Sequence, residues 1–260
     1  MNIKILIAAH RQCEIPKDEI YLPVHVGKEL HPDTTLVGFQ SDNEGDNISA
    51  KNPYLCELTA LYWGWKNLVA DYIGLVHYRR YFTFSKKSRC KFANILTSEE
   101  ATALCQKHDV ILPKKRRYYI ETLASHYEHT HDIEHLELTR EIIRAECPEY
   151  LSAYDKVMKR SYAHMFNMCI MKKELLDQYC TWVFSVLSEL ENKVDVSILS
   201  SFNARLFGRV SELLLDVWIE HNQIKYKEIG YVQIGNENWT RKIIVFLAAK
   251  FLGRKYNSSK

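Results

Sequence analysis

The sequence holds no apolar run approaching the roughly 20 residues that a bilayer-spanning helix needs. Its opening, Met1 to His10, is apolar only over a short central stretch. That is too brief for the hydrophobic region of a secretion signal, and it reads as a first buried strand. Paired cysteines are missing too. The seven cysteines, at 13, 56, 90, 105, 147, 169 and 180, are odd in number and form no C-x-x-C motif. This argues against a zinc cage and for reduced thiols in a reducing compartment, the cytoplasm. With only 9 glycines there is no Walker loop, no dinucleotide fingerprint and no G-x-S-x-G elbow. A plain D-x-D triplet is absent as well, as are internal repeats and low-complexity linkers. The net charge of +3 is too small to support a nucleic-acid partner.

What is present suits one large domain. The 260 residues are 47% hydrophobic and 26% charged, a globular balance. The 16 Tyr, 10 Phe and 5 Trp could stack on sugars or bases, but composition alone favours a role in the core. Short apolar runs at Ile3 to Ala9, Leu22 to Val26, Thr35 to Phe39, Asp71 to His77, Asp109 to Leu112, Ala163 to Met171 and Lys225 to Val232 read as strands. Helical spacing predicts helices over Pro53 to Ala70, Ser98 to Lys107, Glu137 to Glu146, Tyr150 to Lys159, Lys173 to Lys193 and Val210 to Asn222. Strands and helices alternate in the first half, so the class is α/β. Residues 1–238 form the main domain. Residues 239–260 form a basic, apolar tail with Arg241, Lys242, Lys250, Arg254 and Lys255. Such a tail suits either a peripheral contact with an anionic membrane or docking against the body.

Four groups of residues carry candidate chemistry. His77-Tyr78-Arg79-Arg80 follows a buried strand, where α/β sheets gather their ligands. Paired guanidinium groups there can grip a diphosphate and steady it as it leaves; a surface ion pair is the plainer reading. The loop with Asp42, Glu44, Asp46 and Asn47 offers hard oxygen ligands for Mg²⁺ or Mn²⁺, or acceptors for sugar hydroxyls, and a solvated turn is its commoner fate. The cluster His126, His129, His131 and His135 lacks the cysteine spacing of a zinc site and reads as an acceptor-binding loop or plain surface. Last come His164 and Asn167, with Arg209, Ser211 and Glu212 downstream. Glu212 can act as general base on an acceptor hydroxyl, or as a simple partner of a helix dipole.

As a set, these motifs resemble the DUF4422 family. The resemblance rests on Asp42-Asn43-Glu44-Gly45-Asp46-Asn47-Ile48-Ser49, Asn52-Pro53, Cys56-Glu57-Leu58-Thr59 and Leu61-Tyr62-Trp63. It continues through Gly74-Leu75-Val76-His77-Tyr78-Arg79-Arg80-Tyr81-Phe82, Ser125-His126-Tyr127, His164-Met165-Phe166-Asn167-Met168, Arg205-Leu206-Phe207-Gly208 and Ser211-Glu212. Two positions depart from the family pattern: Ala163 stands where Gly is commoner, and Leu213 where Arg is usual.

The resemblance implies a GT-A-like nucleotide-sugar-binding fold, with a mixed, mainly parallel sheet flanked by helices and a C-terminal helical segment. It implies a bacterial hexosyltransferase of capsule or exopolysaccharide synthesis. UDP is the expected carrier, galactose (pyranose or furanose) the expected sugar, and a glycan or lipid-linked oligosaccharide the acceptor. By position, His10, Asp42, Asp46, Asn47, His77 and Tyr78 would face the donor, and His126, His164 and Asn167 the sugar or acceptor. Arg79 and Arg80 fall near the place where GT-A enzymes put D-x-D, which counts against a metal requirement. Glu212 is then the base of a single displacement with inversion. The rival expectation is a non-catalytic nucleotide-sugar or glycan-binding protein.

Overall fold

A central strand that is apolar on both sides sets the architecture. Strand β1 (Ile3–Ala9) is buried at every position but Lys4, as expected for a parallel strand covered on both faces. Leu6 and Ala8 join the core on one face, and Ile5, Ile7 and Ala9 the core on the other. The computed structural model describes residues 1–85 and 88–235. The tail expected over residues 239–260 lies outside the described residues.

Among the described residues nine further strands follow: β2 (Tyr21–His25), β3 (Gln40–Ser41), β4 (Tyr72–His77), β5 (Arg80–Thr83), β6 (Val110–Pro113), β7 (Arg116–Arg117), β8 (Tyr162–Ala163), β9 (Cys169–Lys172) and β10 (Lys227–Gln233). The helices are α1 (Asn52–Leu55), α2 (Leu58–Asn67), α3 (Ser98–Cys105), α4 (Leu123–Thr130), α5 (Glu134–Glu146), α6 (Leu151–Met158), α7 (Lys173–Lys193) and α8 (Leu206–His221). Strands β3, β2, β1 and β4 run parallel. Beyond β4 the direction reverses: β9 pairs antiparallel with β4 and with β6. β10 lies between β6, to which it is parallel, and β5, to which it is antiparallel. β5 then returns to β4 through the pair His77 and Arg80. β7 and β8 form a separate small ribbon. The sheet is α/β and mixed, but parallel pairings do not dominate it as expected. The return strands β9 and β5 account for the antiparallel half.

Two expected elements are broken in two. The helix expected from Pro53 to Ala70 is interrupted at Cys56, which sits at φ 55, in a region costly for a residue with a side chain, on the order of 1–3 kcal/mol. The strand expected from Ala163 to Met171 is split by a turn at Phe166 and Asn167, with φ 75 and 53. Thr35 to Phe39 is a turn that leads into β3. The cap of α3 is Thr97 rather than Ser98: Thr97 and Glu100 exchange side chain-to-backbone bonds in a capping box.

Helices α2, α5, α6, α7 and α8 cover one face of the sheet, and α3 the other. The approach of α2 depends on Gly64, since a Cβ there would meet Leu6 Cδ1 at 2.4 Å. Among the described residues no helix is long and apolar enough to cross a membrane. All seven cysteines are free thiols.

Candidate active site

The parallel strands end together, and the register fixes what gathers there. Ala9 lies opposite His25, Ala8 opposite His77, and His25 opposite Ser41. The carboxyl edge of the sheet therefore carries His10, His25, Asp42 and His77 side by side. Tyr78 is the anchor of this edge. Its buried ring meets His10 edge-on at 5.4 Å and His77 at 4.4 Å. The guanidinium groups of Arg11 and Arg79 each lie 5.2 Å from the same ring, a cation–π geometry.

This edge is strongly electropositive. Burial, and then Arg80, Arg79, His10 and Arg205, push the His77 imidazole down to about 3. Its Nδ1 accepts the Arg79 backbone N–H at 3.3 Å. Desolvation, with Arg11, Arg79 and Arg205, also lowers His10. Both rings are thus neutral near pH 7, and the positive charge resides in the arginines. Arg80 stacks 4.3 Å over Phe166, a cation–π contact that orients it.

Helix α8 brings the acid. Glu212 lies in the second turn of this helix, since the helix begins at Leu206. That removes the reading of Glu212 as a first-turn dipole partner. Its half-buried carboxylate is pushed up to about 7, first by desolvation and then by Glu57. The Phe166 backbone N–H, Arg80 and Arg116 oppose this rise. Arg209 stands on the same helix and Arg205 immediately before it, and both sense Glu212. Arg205 donates through Nε to Cys56 Sγ at 3.2 Å. Arg209 donates to the Phe202 carbonyl at 2.6 Å and lies 4.2 Å over the Phe202 ring. The Nη1 of Arg209 is buried with no hydrogen-bond partner among the described residues.

The structure brings His10, His77, Tyr78, Arg79, Arg80 and Glu212 into one region and places the other expected residues differently. Asp42 is fully buried and accepts bonds from the Gly27 and Lys28 amides and from Ser49 Oγ. It shapes the turn beside His10 and offers no free oxygen face. Asp46 accepts from Tyr62 at 3.1 Å and is tied to Asn67. Asn47 braces its own loop through Asn43, Gly45 and Ser49. Glu44 accepts from Gln40. The acids of this loop have separate partners and do not converge as a ligand set for Mg²⁺ or Mn²⁺.

His164 is buried in the body, where its Nδ1 lies 2.6 Å from Asp216 and its Nε2 3.1 Å from Glu228. Both ring nitrogens are engaged, so His164 supports the scaffold and does not face a sugar. Asn167 is buried as well, bonded to Glu57, Gly208 and Ser211. His126 sits one layer behind the cleft. It stacks on Tyr118 at 4.2 Å and pairs with buried Glu121 at 3.0 Å. Glu121 also meets His129 at 2.8 Å, so two of the four histidines share a carboxylate, while His131 and His135 lie against Tyr127.

Glu57 and Arg205 are marked in the sequence only by their place in the motifs Cys56-Glu57-Leu58-Thr59 and Arg205-Leu206-Phe207-Gly208, whereas Arg209 stands with Ser211 and Glu212 in the fourth candidate group.

One prediction follows from the Asp42 placement. Asp42→Ala strands two buried donors, Gly27 N–H and Ser49 Oγ, and the part-buried Lys28 N–H, at a cost on the order of 3 kcal/mol. Thermal unfolding should show a midpoint lowered by roughly 6–12 °C. An unchanged midpoint would restore Asp42 as a ligand-facing group.

The profile of the family described as a domain of unknown function, DUF4422, matches residues 4–223. The chain belongs to the DUF4422 family. Among solved structures, the DUF4422 chain is similar to one titled "WbbM bifunctional glycosytransferase apo structure", at 30% identity and a TM-score of 0.82. The match covers 91% of this chain and 46% of that one, so the chain spans about half the length of that relative. No curated protein matches the chain.

Proposed function

We propose that this DUF4422 chain is a glycosyltransferase of GT-A-like fold. It transfers a hexose, galactose in pyranose or furanose form, from a UDP-sugar to a glycan or lipid-linked oligosaccharide in capsule or exopolysaccharide synthesis. The observation that carries this reading is Glu212. A carboxylate with an affinity for protons near neutrality, facing an arginine-rich strand edge, is what a general base beside a departing diphosphate requires. A module that only bound sugar nucleotides would have no need of such an acid.

In this mechanism an acceptor hydroxyl attacks the anomeric carbon of the donor. Its proton passes to Glu212 as the new C–O bond forms. The bond from the anomeric carbon to the diphosphate oxygen breaks, and Arg79 and Arg80 receive the charge that develops on UDP. Neutral His10 and His77 flank the diphosphate and can donate hydrogen bonds without adding charge. Asp42, Asp46 and Asn47 hold the loop that borders the donor end. The similarity to a protein titled a glycosyltransferase supports the reaction class. The seven unbridged thiols support a cytoplasmic setting, and a peripheral membrane contact is assigned to residues 239–260.

The test is UDP release from a panel of UDP-sugars incubated with the full chain. UDP-galactose should give the highest rate, with slow hydrolysis even when no acceptor is added. Absence of UDP release from every donor, with and without oligosaccharide acceptors, would reject the reading.

A further inference from the structure

The link between α1 and α2 delivers a second carboxylate to Glu212. Glu57 directly follows Cys56, whose backbone is held at φ 55 and ψ −127. The Glu57 carboxylate accepts a 2.8 Å bond from Asn167 Nδ2. Asn167 is buried and itself in the left-handed region, at φ 53. Its Nδ2 also donates to the Gly208 carbonyl at 3.1 Å, and its Oδ1 accepts from Ser211 Oγ at 2.7 Å. Gly208 and Ser211 lie in the same stretch of α8 as Glu212. One buried amide thus ties the loop acid to the helix turn that carries the base. Two uncommon backbone conformations, at Cys56 and Asn167, are kept in order to do it.

Several charged or titratable groups face Glu212. Arg80 comes from β5, Arg116 from β7, Tyr118 from the chain after β7, Tyr127 from α4, Arg205 from the turn that leads into α8, and Arg209 from α8 itself. Glu57 is the anion among them. Surrounded by guanidinium groups alone, a carboxylate would stay locked as an anion with little appetite for a proton. Burial first, and then the nearby like charge of Glu57, reverse that bias.

We infer that Glu57, clamped by Asn167, is a positioning residue for Glu212 that lets the helix acid take up a proton and give it back. This rests on reading Glu212 as the base. The proton taken from the attacking hydroxyl stays on Glu212 while UDP departs and then returns to water.

The experiment reads Glu212 directly. The full chain is labelled with ¹³C at the glutamate carboxyls, and the Glu212 signal is identified by its loss in Glu212→Gln. In the wild type this signal should titrate near about 7. Glu57→Gln preserves shape and removes the charge, so the midpoint should fall, while burial, the larger cause, still holds it above the ordinary carboxylate range. Asn167→Ala releases Glu57 and should shift the midpoint the same way; should that variant not fold, Glu57→Gln decides alone. A wild-type midpoint in the ordinary range, or one that Glu57→Gln leaves unmoved, overturns the inference. No turnover is needed for this readout, so a wild type that releases no UDP counts against the transferase reading alone. With an active enzyme, Glu57→Gln should lower kcat and leave UDP affinity unchanged. Loss of UDP affinity with kcat intact would make Glu57 a donor-site group and overturn the assignment.

Discussion

Glu212→Gln is expected to abolish sugar transfer while UDP still binds. The substitution keeps the volume and the bond from the Phe166 amide but removes the proton acceptor. General-base catalysis is worth roughly 10²–10⁴-fold, and the loss should fall in kcat rather than in donor affinity. The wild-type pH profile follows from the position of the group. A base works when deprotonated, and Glu212 is raised to about 7. The rate should therefore climb through neutral pH and level off above it. In Glu212→Gln the residual rate should lose this limb. Measuring UDP release across pH, with calorimetry for UDP binding, checks both points. A variant that keeps the wild-type rate would move the base elsewhere in the cleft.

Replacing Arg79 and Arg80 together with alanine should be as severe, by a different route. In the proposed mechanism each guanidinium would stabilise charge on the departing diphosphate, and loss of one such donor typically costs about 10²–10³-fold. Here UDP affinity should fall along with the rate, in contrast to Glu212→Gln. Arg80 should carry the larger single effect. It is half-buried, stacked on Phe166, and felt by both His77 and Glu212. Arg79 is exposed, on the rim of the Tyr78 ring. The double variant also has a spectroscopic sign. With two positive neighbours gone, the His77 titration should move up from about 3 but stay below an ordinary imidazole, because burial is the first cause of its depression. Transfer at the wild-type rate by the double variant would remove both arginines from the mechanism.

How far the sequence foretells this arrangement depends on the kind of signal. Runs that are apolar on both sides, such as Ile3–Ala9 and Tyr72–His77, announce buried strands, and their carboxyl ends are the ligand edge by topology. His10, His77, Arg79 and Arg80 were therefore legible as neighbours. Backbone exceptions were not. Cys56, Phe166 and Asn167 break apolar or helical runs without a glycine or proline to mark the break. The reason lies in distant partners: Arg205 on the Cys56 sulfur, and Gly208 and Ser211 on Asn167. Asp42 misled for a related reason. An acid in a polar loop reads as solvated, yet the turn at Gly27 and Lys28 closes over it and uses both of its oxygens. The reversed strands were hidden as well, because strand direction is set by connections and not by periodicity.

The last strand lies between β5 and β6 and not at a margin of the sheet. Strand β5, which opens with Arg80, meets β4 through a single residue pair but β10 through four. The amide of Ile234 then bonds to the Arg79 carbonyl at 2.8 Å. During synthesis, a nascent chain that has not yet exposed residues 227–233 lacks the strand that seats Arg80 and the clasp on Arg79. The strand edge that carries both arginines is thus complete only after β10 has emerged, and it waits on contacts of very long sequence separation. Until then the emerging domain has a core but an unfinished edge.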